Sequence, residues 1–120
     1  MQLKKLKKTR VKIKPLSVNE AWKGKRYRSD SYKKYQIILS ILLKWHRIPD
    51  GKLTLVVRFG FSSKGSDIDN PLKPLIDCLQ KKYMFNDNRI YRLEVEKEDV
   101  KKGEDFIEFE LIKYTKENKY

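Results

Sequence analysis

Apolar residues fall in two rhythms along this chain, and together the rhythms admit few architectures. Thr9, Val11 and Ile13 alternate with Arg10, Lys12 and Lys14 until Pro15 ends the run. Leu53, Leu55, Val57 and Phe59 alternate with Lys52, Thr54, Val56 and Arg58. Tyr91, Leu93 and Val95 alternate with Arg92, Glu94 and Glu96, and Ile107, Phe109 and Leu111 with Glu108 and Glu110. A period of two marks a strand with one face buried. Between the first two strands, Tyr35, Ile38, Leu42 and Trp45 recur at helical spacing, with Ser29 or Asp30 placed to cap a helix over residues 30–45. Between the second and third, Leu72, Leu75, Ile76 and Leu79 form the core face of a helix over residues 71–82. Pro74 lacks an N–H and disfavours helical geometry at Lys73, so it pulls the expected helix start toward itself. The order β-α-β-α-β-β predicts an α/β fold in the broad sense, α+β strictly: one mixed or antiparallel four-stranded sheet packed against two helices. The turn residues Lys101-Lys102-Gly103 favour a hairpin between the last two strands.

One domain spanning residues 1–120 is the economical reading, with a basic arm over 1–8 and a frayed tail over 114–120. No run approaches the roughly 20 apolar residues of a membrane span. Met1 leads into Lys and Leu residues without a signal-peptide core, which predicts a cytoplasmic protein. A single cysteine, Cys78, excludes an intramolecular disulfide and a thiolate-rich zinc site, and a single histidine, His46, removes the two-histidine metal motifs. Any metal must therefore be held mainly by oxygen, which favours Mg²⁺ or Mn²⁺. Cys78 lies between Ile76 and Leu79 on an apolar pattern, so packing outweighs a nucleophilic Cys–His pair. His46 suits the end of the first helix or plain exposure better than catalysis.

Positive charge is concentrated near the start of the chain. Residues 1–34 hold thirteen Lys or Arg against Glu20 and Asp30, or 13 − 2 = +11 of a total of +13. Such an arm supplies phosphate affinity that is independent of sequence and weakens as salt rises. Its bland alternative is a solubilising tail. The loop over residues 16–29 interleaves Trp22 and Tyr27 with Lys25, Arg26 and Arg28, a pattern that can stack on a base while gripping phosphate. Lys12, Lys14, Asn19, Lys25, Arg26, Tyr27, Arg28 and Lys64 are the candidate DNA contacts.

Within this basic chain, the segment over residues 65–87 places Asp67, Asp69, Asp77 and Asp87 around Lys73. Clustered acids oppose polyanion binding unless a cation neutralises them. Divalent metal ions do so and also activate water for phosphodiester hydrolysis. A helix beginning by residue 69 or 70 would align positions 69, 73 and 77 on one face, with Lys73 beside two acids and near the expected phosphate. Asp87 joins them only if the chain reverses after the second helix. Each acid also has a structural reading: Asp69 and Asn70 as helix caps, Asp77–Lys73 as a surface ion pair, Asp87 as a turn residue.

The run Asp67-Ile68-Asp69-Asn70-Pro71-Leu72-Lys73-Pro74, continuing to Asp77, Leu79 and Asp87, resembles the signature of the RusA family of Holliday junction resolvases. Pro15-Leu16-Ser17-Val18-Asn19 is similar to that family's N-terminal segment, and the resemblance spans roughly residues 11–112. It implies a homodimeric, Mg²⁺-dependent endodeoxyribonuclease of bacterial or phage origin that makes paired, symmetric nicks across a four-way DNA junction in recombination and repair. Carried over by position, Asp67, Asp69 and Asp87 would be the metal-binding carboxylates and Lys73 the catalytic lysine. Family members commonly show two adjacent acids where this chain has Asn86-Asp87, which lowers the negative charge there. Two other readings use the same residues: a nuclease for flaps, forks or other branched DNA, and a non-catalytic nucleic-acid binder with structural acids.

Overall fold

The computed structural model describes residues 8–23 and 27–116, with Trp22, Lys23, Tyr27 and Arg28 described by their backbone alone. The chain runs through β1 (Thr9–Val11), α1 (Val18–Ala21), β2 (Trp22–Lys23), β3 (Tyr27–Arg28), α2 (Asp30–Leu42), β4 (Leu53–Phe61), α3 (Leu72–Tyr83), a 3-10 turn (Asp87–Arg89), β5 (Ile90–Asp99) and β6 (Phe106–Lys113). Four strands form one mixed sheet in the order β1-β6-β4-β5. β6 is antiparallel to both β1 and β4, whereas β4 and β5 are parallel. This is the α+β architecture that the two rhythms predict.

The expected hairpin between the last two strands does not form. A turn does occur, with Glu104 N–H donating to the Lys101 carbonyl and Gly103 at φ +88°. Yet β5 and β6 flank β4 instead of pairing with each other. Burial explains the order. Leu53, Leu55, Val57, Phe59 and Phe61 of β4 are buried, with Thr54 and Gly60 buried between them, so this strand takes the centre. β5 carries Glu94, Glu96, Lys97 and Glu98 and is fit for an edge, where charged side chains also discourage pairing with other chains.

One sheet face packs against the helices. Leu55, Val57 and Phe59 stand opposite Leu111, Phe109 and Ile107 of β6, and all six join a core with Tyr35 and Leu39 of α2 and Leu75 and Leu79 of α3. The buried side of α2 is not the expected one. Tyr32, Tyr35, Leu39 and Leu43 face inward, while Ile38, Leu42 and Trp45 are exposed with Ile37 and Ile41. Apolar residues nearly encircle the second half of this helix, so periodicity alone could not choose a face. The helix also ends at Leu42, with Leu43 as an extended cap, earlier than expected. Ser29 is its N-cap, accepting from Tyr32 N–H. The expected loop between β1 and α2 contains the one-turn α1 and the small β2–β3 pair, and Ile13 packs on the core beyond the end of β1. Tyr114 and Thr115, the first residues of the expected tail, are fastened: Tyr114 N–H donates to the Lys52 carbonyl and Arg92 Nη1 to that of Thr115.

The opposite face is lined by charge. Arg58 pairs with Glu108 at 3.3 Å and Glu98 at 3.6 Å, and Arg10 pairs with Glu108 at 3.3 Å while lying over the Phe106 ring. The part-exposed cations make these pairs weak contributors to stability. Phe106 is buried directly opposite Gly60, and a methyl added at that glycine would run into its ring. Gly60→Ala should therefore cost about 1–3 kcal/mol, because overpacking displaces the ring or the strand. Urea denaturation of the two proteins measures it, and an unchanged midpoint would show that the Phe106 ring can swing away freely.

Candidate metal centre and nucleic-acid interface

The parallel β4–α3–β5 unit sets the position of every acid in the motif. β4 delivers the chain at Phe61 to a loop over residues 62–71, which exposes Asp67 and Asp69 before α3 begins. Neither Asp69 nor Asn70 caps the helix with its side chain. Pro71 occupies the cap position at φ −86°, ψ 0°, without a side-chain bond. The Asp69 carbonyl accepts from Leu72 N–H at 3.1 Å, and Asn70 Nδ2 donates to Asp67 Oδ2 at 3.1 Å. Pro74 falls in the first helical turn, where a missing N–H removes no helical bond. That is why the proline, expected to shift the helix start, sits inside the helix without breaking its hydrogen-bond ladder.

Lys73 and Asp77 lie one turn apart on α3 and pair at 3.1 Å. Asp77 is the more enclosed partner, also accepting from Tyr32 Oη at 3.1 Å and from Gln80 Nε2 at 3.5 Å. Gln80 Oε1 accepts in turn from the Asp87 backbone N–H at 2.8 Å. A polar stripe thus runs along α3 from Lys73 through Asp77 and Gln80 to the turn that carries Asp87. Asn86 is engaged within that turn, its Oδ1 accepting from Asn88 N–H at 2.9 Å.

Asp67 and Asp69 therefore lie at the head of α3, and Asp87 lies past its other end. With 12 residues in the helix, the two ends are separated by about 18 Å. Among the described residues of one copy, no three His, Cys, Asp or Glu side chains stand where they could hold a metal together. Asp67 and Asp69 are hard oxygen donors in a bend, the donor chemistry that suits Mg²⁺ or Mn²⁺, but they supply only two protein ligands.

Basic residues surround the head of the helix. Lys14 lines a cleft of about 290 Å³ with Ser17, Glu20, Asp67, Asn70 and Asp105. Lys64 and Lys73 are exposed on either side of the acids, and Lys97 donates to the Ser66 carbonyl at 2.6 Å. The segment holding Asn19 docks here as well, because Val18 N–H donates to the Asn70 carbonyl at 2.8 Å. Lys12 is exposed just beyond β1. Tyr27 and Arg28 belong to β3, while Lys25, Arg26 and residues 1–7 of the basic arm lie outside the described residues. Sequence reasoning missed Tyr32, Gln80 and Lys97. Tyr32 and Lys97 reach the site from distant parts of the chain, which only the pairing of elements reveals, whereas Gln80 lies one turn from Asp77 on α3, a spacing that could have pointed to it.

A mixed sheet with helices on one face and an exposed acidic loop at the end of its central strand defines an α+β domain with a candidate oxygen-ligand metal centre. The family model described as Endodeoxyribonuclease RusA matches residues 7–110. The chain belongs to that family, whose members are DNA-binding endonucleases that resolve Holliday junctions. A comparison with curated proteins gives no match.

The Cys–His alternative is ruled out by placement. Cys78 is buried, and its thiol is pushed up to about 12, first by burial and then by the Asp77 carboxylate, with Lys81 opposing. His46 lies beyond α2, tilted against the Tyr83 ring at 4.8 Å. Thiol reagents should therefore label the folded protein about a thousandfold more slowly at pH 8 than the unfolded chain, whose thiol ionises near 9. Because the unfolded state loses this proton first, the group also subtracts stability as pH rises from 9 toward 12. Fast labelling without denaturant would show that the thiol is accessible and the burial wrong.

Proposed function

We propose that this protein is a metal-dependent, structure-selective endodeoxyribonuclease that resolves four-way DNA junctions as a homodimer, with Mg²⁺ as the cofactor and Mn²⁺ as a substitute. The observation that carries the reading is the exposed Asp67–Asp69 bend at the head of α3, with Lys73 in the helix's first turn, inside a strongly basic chain of the RusA family. Asp67 and Asp69 hold the ion, and the Asn70 amide orients Asp67. When bound, the ion supplies charge stabilisation at the scissile phosphate and lowers the pKa of its water. Lys73, steadied by Asp77, places a positive charge where negative charge builds on the phosphoryl oxygens. Lys12, Lys14, Asn19, Lys25, Arg26, Tyr27, Arg28 and Lys64 grip the backbone of the DNA arms.

Asp87 gives this reading its quaternary form. Asp87, near the far end of α3, does not converge with Asp67 and Asp69 of its own copy, so those two would share an ion with an Asp87 only if a second copy supplied it. A two-fold axis that sets the head of one α3 beside the far end of its partner's brings Asp87 of the second copy to the site. The apolar side of α2 is the contact: Ile37, Ile38, Ile41 and Leu42 share one face and are 41–76% exposed. Water-facing apolar patches of this kind mark association surfaces. The same axis presents two equivalent sites to the two strands of like polarity in a junction.

Mixing experiments separate the possibilities. Asp67→Asn, Asp69→Asn, Asp87→Asn and Lys73→Ala should each abolish junction cleavage while leaving binding intact. Equal amounts of Asp69→Asn and Asp87→Asn protein, mixed and allowed to exchange subunits, should regain about a quarter of wild-type nicking, since half the dimers then hold one intact site. No recovery would place Asp69 and Asp87 in the same copy's site or remove Asp87 from it. Tight junction binding by wild-type protein, with no cut in Mg²⁺ or Mn²⁺, would leave a DNA-binding module.

A further inference from the structure

Lys97 stands in β5 directly across from Phe59 of β4, so its side chain leaves the sheet on the helix-covered side. It does so near the end where β4 gives way to the acidic loop. Its ammonium donates to the Ser66 carbonyl at 2.6 Å, a contact between residues 31 positions apart. Charge-assisted bonds of this kind are short and roughly twice as strong as neutral ones.

Few other bonds fasten the loop. Ser62 N–H reaches Asp105 Oδ2 at 3.3 Å at its start, and the Asn70 carbonyl meets Val18 N–H at 2.8 Å near its end. Between them, Ser66 N–H turns back on the Ser63 carbonyl at 3.3 Å, and Asn70 Nδ2 meets Asp67, both within the loop. Among the described residues, Lys97 alone ties the stretch over 63–69 to the sheet by a hydrogen bond. The carbonyl it holds belongs to the peptide group that enters Asp67. A peptide group is planar and rigid, so fixing the Ser66 oxygen fixes where the Asp67 side chain begins.

We propose that Lys97 is the positioning residue for Asp67, anchoring the Ser66–Asp67 peptide to the sheet so that the carboxylate is set for the metal before the metal arrives. The idea rests on the reading of Asp67 as a metal ligand. The ammonium also places positive charge beside the loop that holds Asp67 and Asp69, easing their repulsion before the ion is bound. Supporting groups of this type commonly change metal affinity by about 10- to 100-fold when removed.

Lys97→Met removes the donor and keeps the aliphatic stem, and Lys97→Arg keeps charge and donors. Hydrogen exchange should show the Ser66 amide, which is bonded to the Ser63 carbonyl, exchanging about tenfold faster in Lys97→Met, with β4 and α3 unchanged. The Mg²⁺ concentration for half-maximal junction cleavage should rise about tenfold, while the rate at saturating Mg²⁺ returns to near wild type. Lys97→Arg should restore both. Unaltered loop exchange in Lys97→Met overturns the proposal, as does a rate that stays lost at saturating Mg²⁺, which would make Lys97 a catalytic group acting on DNA. Faster exchange across the whole sheet overturns it too, by showing a general structural role. If wild-type protein cuts no junction at any Mg²⁺ concentration, the nuclease reading fails, while the exchange comparison still decides whether Lys97 anchors the loop.

Discussion

The structure depends on burial of β4. With β6 it is one of the two strands that have neighbours on both sides, parallel to β5 and antiparallel to β6, and it supplies five core side chains. A strand so enclosed must be apolar along one face and compact along the other, and Thr54 and Gly60 meet the second need. Because β4 and β5 are parallel, the connection between them must travel back along the sheet, and α3 is that return path. The acidic loop and the Asp87 turn are the two ends of this one connection. Their separation follows from strand direction and is not a local accident of loop shape.

The loop itself resolves a conflict of charge. Acidic side chains in a basic protein attract cations from their own chain, and Lys73 was the obvious competitor for Asp67 and Asp69. Instead Lys73 is held by Asp77, a turn away, and Lys97 is held by a backbone carbonyl. Both lysines bring positive charge close to the bend without pairing with either candidate metal ligand. Asp67 keeps a neutral partner, the Asn70 amide. Carboxylates left in this condition remain open to a metal ion, while the flanking lysines keep the surroundings attractive to phosphate.

How far the sequence could be read depended on whether the governing interaction was local. Alternation located all four strands of the sheet, and Ser29 marked the start of α2, because strand periodicity and capping act over a few residues. The pairing order was illegible: Lys101-Lys102-Gly103 makes the turn its composition suggests, but the identity of the central strand is settled by total burial across the sheet. The inner face of α2 was illegible for a related reason. Ile37, Ile38, Leu39, Ile41, Leu42 and Leu43 offer several apolar stripes, and only packing with α3 selects Leu39 and Leu43. At the candidate site, the pairing of Lys73 with Asp77 followed from helical spacing, whereas Tyr32 and Lys97 lie 45 and 31 residues from their partners. No local pattern encodes such contacts.

Those two illegible features bear on one another. A helix apolar on more than one side has one stripe for its own core and another left for a neighbour, and the leftover stripe of α2 carries Ile37 and Ile41. The groove where α2 meets α3 is bordered by these residues together with Cys78 and Lys81, near the middle of the polar stripe that links Lys73 to Asp87. In the proposed dimer, a two-fold axis through this region would set the head of one α3 beside the far end of its partner's, the operation a divided acidic set requires. The proposed dimer would thus account for the exposed stripe and the distant Asp87 together.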